Sequence, residues 1–207
     1  AEVHGNENGT VTVIEGSPDI GGSRASMCLM AAETLGIDYS LIRAQVGDTE
    51  STGFCNTTGG SRTTFATGMA VTQACEDVIR ECKKRAALTW GVDEDMVEWE
   101  DGRAIPGPGV NADVEALSLA ELAGKAGKTG GPIMGSASLN AQGAGASFSV
   151  NFTDVKVDME TGKVDVLSFT AIQDAGPAIH PSYVEGQMQG GAAQGLGSAL
   201  NEEYVFD

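Results

Sequence analysis

The stretch Val184–Gly197, VEGQMQGGAAQGLG, places the tightest demand on any fold this chain can adopt. It lacks proline, follows a helix start signal at Ser182 and Glu185, and carries Gly186, Gly190, Gly191, Gly195 and Gly197. Each interior glycine costs a helix about 1 kcal/mol relative to alanine, so the run costs roughly 5 kcal/mol. Packing or a ligand must offset that. Spacings of four, three and four put Gly186, Gly190, Ala193 and Gly197 on one stripe, almost bare of side chains. Gln187, Gly191, Gln194 and Ser198 form the stripe beside it. Such a surface admits a neighbouring helix or a flat ligand held by amides, and the stretch alone leaves both open.

Upstream, local patterns alternate between strand and helix. Thr10–Ile14 is a β-branched run and reads as a strand. Arg24–Leu35 reads as a helix closed by Gly36, and Leu41–Val46 as a second strand. A long helix is expected from near Thr63–Thr67 to Trp90, with Val71, Ala74, Cys75, Val78, Cys82 and Ala86 on its apolar face. Asp101-Gly102 marks a hairpin between Met96–Glu100 and Arg103–Ile105. Ser118 and Glu121 form a capping box for a short helix, Leu119–Ala126, before a loop at Gly127–Pro132. Alternation at Phe148, Val150 and Phe152, a turn at Glu160–Lys163 and the run Val164–Ile172 read as a long antiparallel hairpin. The expected organisation is a first βα half over 1–105, a linker with a short helix over 106–145, and the hairpin with its glycine-rich helix over 146–207. The fold class is α+β.

The net charge of −17 argues against nucleic acid and against an anionic membrane surface, both of which select basic patches. No apolar run approaches the length of a bilayer span, and no signal peptide is visible. A start at Ala1 without Met suggests a processed chain, a domain or a fragment. Cys28, Cys55, Cys75 and Cys82 lack close paired spacing, and His4 and His180 lie far apart in sequence. No protein metal site is expected, and free buried thiols in a reducing cytoplasm are.

The tetrapeptide GGSR occurs twice, at Gly21–Arg24 and Gly59–Arg62, each time after a strand and a loop and before a helix. A glycine turn into a helix N-terminus presents backbone N–H groups and a positive dipole end, and arginine can clamp a phosphate. Two such turns suit a ligand with two phosphates, although either alone also serves as an ordinary turn. No GxGxxG pattern follows a strand, and no Walker loop is present. Asp174 with His180 reads as an acid–base pair or, better, as a turn capped by Asp174. Ser23 and Ser61 lack a convincing base. Cys55 in its polar loop is either reactive or an ordinary thiol.

Four stretches together resemble the molybdopterin-binding subunit of the xanthine dehydrogenase, aldehyde oxidase and aerobic carbon monoxide dehydrogenase family, the molybdenum hydroxylases. Gly16–Arg24, GSPDIGGSR, resembles the family loop G-G-T-E-M-G-Q-G. Gly59–Val71, GGSRTTFATGMAV, resembles its Ser/Thr-rich cofactor loop. Val155–Asp174 resembles the family hairpin. Asp174–Gly197 is very close to D-V-G-x-x-x-N-P-x-x-V-E-G-Q-x-x-G-G-x-x-Q-G.

The resemblance implies a molybdenum-cofactor-binding domain with mixed and antiparallel strands packed by helices. It implies part of an oxidoreductase that hydroxylates a small aldehyde, an N-heterocycle or a similar substrate with water as oxygen source. The cofactor is molybdopterin carrying molybdenum, commonly as the cytosine dinucleotide in bacteria. Partners are the remaining molybdenum-subunit segments, an iron–sulfur subunit and a FAD subunit. By motif, Gly21, Gly22, Ser23, Arg24, Gly60, Ser61, Arg62, Thr63 and Thr64 are expected to line the cofactor, and Gln194 to lie beside the molybdenum centre. Gly22 stands where many relatives have Gln. The family's G-G-x-F-G and G-x-G-E motifs, the latter with the general-base Glu, are absent from these 207 residues. A competing reading is a non-catalytic cofactor-binding piece of a split subunit. A third, an unrelated phosphate-binding module, predicts nucleotide binding without molybdenum.

Overall fold

Val11, Val13 and Glu15 alternate inward along β2 (Val11–Glu15), and this single strand organises the first half of the chain. It pairs antiparallel with β1 (Glu2–Gly5) and parallel with β3 (Ile42–Val46). The parallel pair needs a crossover, which α1 (Ser23–Leu35) supplies. The structure, a computed structural model, describes residues 1–110, 113–143 and 146–206. Asn111, Ala112, Ala144 and Gly145, inside the expected linker, and Asp207 at the end lie outside the described residues. The chain divides into two compact units, Ala1–Gln142 and Gly143–Asp207.

In the first unit the sheet order is β3-β2-β1-β7, with β7 (Ile133–Ser136) antiparallel to β1. Helix α2 (Gly68–Trp90) packs its apolar face on this sheet. Met27, Ala31 and Leu35 of α1 join Val71, Ala74, Cys75, Val78 and Cys82 of α2 in a core with Val3, Val11, Val13 and Ile133. The close approach of β7 to α2 requires Gly135: a Cβ there would stand 2.7 Å from the Val78 backbone nitrogen. Arg85 is buried on α2, bonded through Nε to Glu81 at 2.7 Å, and donates to the Thr129 and Gly130 carbonyls.

A second small sheet joins β4 (Val97–Glu100), β5 (Arg103–Pro106) and β6 (Leu117–Ser118). Trp99 ties it to α1 by donating its indole N–H to the Leu35 carbonyl at 2.9 Å. The capping box at Ser118 and Glu121 is formed, and it opens α3 (Leu119–Gly124).

Three local expectations need correction. The loop expected over Gly127–Pro132 begins as a short helix, α4 (Ala126–Thr129), whose carbonyl end Arg85 satisfies from α2. The segment expected as a linker contributes β6 to the small sheet and β7 to the main one. Its strands are two and four residues long, too short for a period-two signal in the sequence. The inner strand β1, four residues long, went unread for the same reason.

The second unit is a hairpin and a helix. Strand β8 (Phe148–Val157) pairs with β9 (Val164–Asp174), with a register shift between Asp154 and Val155. Helix α5 (Pro181–Leu200) follows. The expected Ser182/Glu185 capping box is absent. Pro181 occupies the first helical position with a preset φ, so His180 becomes the N-cap and Ser182 falls inside the helix. The Asp174 turn is formed, its carboxylate accepting from the Gly176 N–H at 3.0 Å. Among the described residues no helix is long and apolar enough to cross a membrane.

Candidate functional site

The two GGSR turns share a sequence but not a backbone. In the first, Gly21 and Gly22 take left-handed φ values of 61° and 76°, and α1 starts at Ser23. In the second the left-handed pair is shifted by one residue, to Gly60 at 63° and Ser61 at 58°. A non-glycine residue in that region is unusual, and here it turns the chain into a π-helical turn over Thr63–Thr67 that runs into α2.

The first turn satisfies much of its own helix N-terminus. The Ser23 N–H donates to the Ile20 carbonyl at 3.1 Å, and the Arg24 N–H donates to Asp19 at 3.1 Å. The Arg24 guanidinium pairs with the same carboxylate at 3.3 Å. Asp19 therefore supplies the negative charge that the dipole of α1 favours. The expectation of free N–H groups is corrected at Ser23 and Arg24, while Gly21 and Gly22 have no bonded N–H partner among the described residues.

The second turn is unsatisfied. Arg62 is half-buried and has no acidic partner among the described residues. Around Gly59 and Gly60 the space is open, with nothing within 4 Å of an added Cβ. Thr63 is buried, Ser61 and Thr64 are exposed, and the Thr58 hydroxyl is buried without a partner.

Arg62 lines a cleft of about 580 Å³ within the first unit. Its other walls come from the ends of β2 and β7, the loop Ser51–Asn56, and the start of α2. None of Gly21–Arg24 lines it. The cleft also holds Glu15, which the sequence reading did not single out. Glu15 is 1% exposed. One carboxylate oxygen accepts from the Ser17 N–H at 2.6 Å, and the other has no partner. Burial pushes its carboxyl above the ordinary glutamate value, against the lowering effect of the Ser17 backbone bond. The signal was present in the sequence: an acidic residue at the inward beat of a Val-x-Val-x-Glu strand. Ser17 continues the network, its hydroxyl 2.7 Å from Thr67 Oγ1 and 3.4 Å from Cys55 Sγ.

Cys55 is exposed, so the expectation of buried thiols is corrected at that position, whose polar loop offers no core to enter. Cys28, Cys75 and Cys82 are buried, and desolvation pushes Cys75 and Cys82 up to about 12. No group of three or more His, Cys, Asp or Glu among the described residues is placed to hold a metal ion.

In the second unit Gln194 lies exposed on α5, its side chain without a hydrogen bond among the described residues. No atom comes within 4 Å of a Cβ added at Gly186, Gly190, Gly191 or Gly195.

The unpaired Arg62 guanidinium in this cleft fits an anionic ligand. The fold defines an α+β domain with this cleft in its first unit. The chain belongs to the molybdopterin cofactor-binding domain family, whose description matches residues 1–207.

The chain is 28% identical over 192 residues to the carbon monoxide dehydrogenase large chain of Hydrogenophaga pseudoflava, covering 90% of this chain and 23% of that one. It is 28% identical over 211 residues to the aldehyde oxidoreductase molybdenum-binding subunit PaoC of Escherichia coli, covering 100% of this chain and 27% of the relative. The crystal structure of quinoline 2-oxidoreductase from Pseudomonas putida 86 superposes with a TM-score of 0.84 at 25% identity, over 100% of this chain and 27% of that one. The chain thus spans about a quarter of the length of the relatives it matches.

Proposed function

We propose that this chain forms one wall of the cofactor pocket of a molybdenum hydroxylase. The whole enzyme oxidises a small aldehyde, N-heterocycle or similar substrate with water as oxygen source. The observation that carries the reading is the match of the entire chain to a molybdopterin cofactor-binding domain, supported by the unpaired Arg62 in its cleft. The bound group, molybdopterin as its cytosine dinucleotide, supplies two-electron redox chemistry at molybdenum.

This chain's own residues bind and orient. Arg62 and the open turn Gly60–Thr64 receive a phosphate, because a guanidinium already paired with a carboxylate would first have to give that up. Arg24 contributes less, since Asp19 holds it. The Gly21 and Gly22 N–H groups, outside that cleft, are left for a second phosphate, while the buried Ser23 hydroxyl is held within its own turn by the Ile20 N–H and the Pro18 carbonyl. Gln194, whose side chain has no hydrogen-bond partner among the described residues, would serve the molybdenum cofactor as hydrogen-bond donor or acceptor. The bare stripe of α5 leaves room for a neighbouring backbone or a flat ligand. An iron–sulfur subunit and a FAD subunit take the electrons, and the other molybdenum-subunit segments supply the general base. The complex works in the cytoplasm, in keeping with four free thiols.

Metal and nucleotide analysis of the native complex tests the reading. Molybdenum with CMP released on hydrolysis is the expected result, and a complex that holds neither molybdenum nor pterin refutes it. Arg62→Ala lowers dinucleotide content more than Arg24→Ala. Gln194→Ala abolishes turnover while molybdenum content stays; unchanged turnover would remove its role.

A further inference from the structure

Strands β8 and β9 change their apolar face at the same point along the hairpin, and they do so by two different means. Side chains alternate across a strand, and directly paired residues share a face. Phe148, Val150 and Phe152 therefore lie on one face together with Ile172, which pairs with Val150. On β8 the swap is written in the sequence: Val155 and Val157 are odd-numbered and fall on the opposite face. On β9 it is made by the backbone. Val164 and Val166 are even-numbered like Ile172, and a regular strand would keep all three together. Instead Asp154 pairs with Ser168 and Val155 with Val166, so Leu167 is an extra residue in β9. That bulge carries Val164 and Val166 to the face of Val155 and Val157, because a one-residue slip inverts every side chain beyond it.

The polar residues complete the pattern. The first face turns polar near the Glu160–Lys163 turn, where Asp154 and Lys156 pair with Ser168 and Asp165. There the Ser168 hydroxyl donates to Asp154 at 2.6 Å. The second face is polar at the other end, with Ser149, Asn151 and Gln173. Each face is thus half apolar, and the two apolar halves lie at opposite ends of the hairpin. A hairpin resting on a single layer is apolar along the whole of one face. This one calls for two layers, one on each side and displaced along the strands.

We infer that the hairpin threads between two separate apolar layers of its own subunit. One layer seats on Phe148, Val150, Phe152 and Ile172, and the other on Val155, Val157, Val164 and Val166. The occupant of both is the part of the molybdenum-binding chain that lies outside these 207 residues. The chain spans about a quarter of the relatives it matches, which leaves ample length for two layers. Neither apolar half carries a charge, and uncharged faces of this kind belong to permanent contacts. This seating does not depend on which cofactor the first unit takes.

Cysteine labelling of the full complex tests it. Val150→Cys and Val157→Cys place one thiol on each apolar half, and Asn151→Cys and Lys156→Cys place one on each polar half. Maleimide labelling, read by mass spectrometry of the peptides, is expected to be roughly tenfold or more slower at the two valine positions than at Asn151 and Lys156. The protection is expected to persist when the molybdenum-binding subunit is separated from its partner subunits and diluted to a monomer. Should Val157→Cys fail to fold, Val155→Cys reads the same half. Equal rates at all four positions overturn the swap of faces, and fast labelling at either valine position removes the layer on that side. Protection lost on separating the subunits assigns the cover to a partner subunit, and protection lost on dilution assigns it to a second copy; either overturns the seating. Molybdenum and pterin content of the same sample tests the cofactor reading separately.

Discussion

The two units of this chain are built from similar residue types and end in opposite states. Ala1–Gln142 closes over a core: Val3, Val11, Val13, Met27, Leu35, Val71, Val78, Leu122 and Ile133 are all at most 1% exposed. Among its described residues Gly143–Asp207 buries nothing fully. Phe148, Val150 and Phe152 alternate onto one face of β8, while Val155 and Val157 fall on the other. All five are between 46% and 68% exposed. A sheet with apolar residues on both faces is the pattern of a strand pair covered on both sides. A lone two-stranded hairpin is marginal in water. The difference teaches that apolar content does not make a core; layers do. The first unit has a helix layer on its sheet, while the apolar residues on both faces of β8 in the second stay exposed. Since the chain spans about a quarter of its relatives' length, we propose that the remaining subunit segments cover them.

The sharpest way to break this contrast applies one substitution in both units. Leu122→Ala empties a fully buried site and lowers stability by about 2–5 kcal/mol. Leu167→Ala, at 66% exposure, changes the stability of this 207-residue chain by less than about 0.5 kcal/mol. Urea denaturation of both variants measures the difference. Repeating Leu167→Ala in the full subunit sharpens it: a rise above about 2 kcal/mol shows the missing layer, and an unchanged value sinks the covered-hairpin argument.

Glycine gives a smaller, sign-reversing effect. Gly135→Ala drives a methyl into the α2 backbone and destabilises by about 1–3 kcal/mol. Gly190→Ala meets open space and stabilises this chain by up to about 1 kcal/mol. In the full subunit Gly190→Ala turns destabilising if a neighbour sits on that stripe. Thermal melts of both proteins read the sign.

A weaker effect separates buried from exposed thiols in the first unit. At mildly alkaline pH a maleimide labels Cys55 in this chain and spares Cys75 and Cys82, whose thiolates are suppressed by burial. Mass spectrometry of the labelled peptides checks it, and equal labelling would show the core to be open.

The smallest effect is the pH response of Glu15. Its folded carboxyl titrates above its unfolded value, so the folded state binds more protons between the two. Stability from this group is present below the unfolded value and is lost as pH rises through the folded one. Glu15→Gln therefore flattens the weak-acid end of the stability–pH curve; an unaltered slope would show that Glu15 is solvated.

Much of the local structure was legible. The helical period of Val71, Ala74, Val78 and Cys82, the Gly36 and Gly91 helix ends, the Asp101-Gly102 hairpin and the Ser118 capping box all depend on residues within a few positions of each other. The family was legible too, because its motifs are contiguous. The short strands β1, β6 and β7 were not, since two to four residues carry no period. The two GGSR turns read as twins, yet Asp19 closes the first through Arg24 while the second stays open.

The sequence by itself thus determined the class of fold, the glycine-rich helix and its bare stripe. That information is carried by periodicity and turn chemistry, which act over one or two helical turns. Only the tertiary structure decided that Glu15, Arg62 and Thr67 share one cleft, and that Arg85 closes the helix ending at Thr129. Those pairings span tens of residues. They follow from how β2, β7 and α2 stack, because each strand and helix can hide its apolar face only against the others.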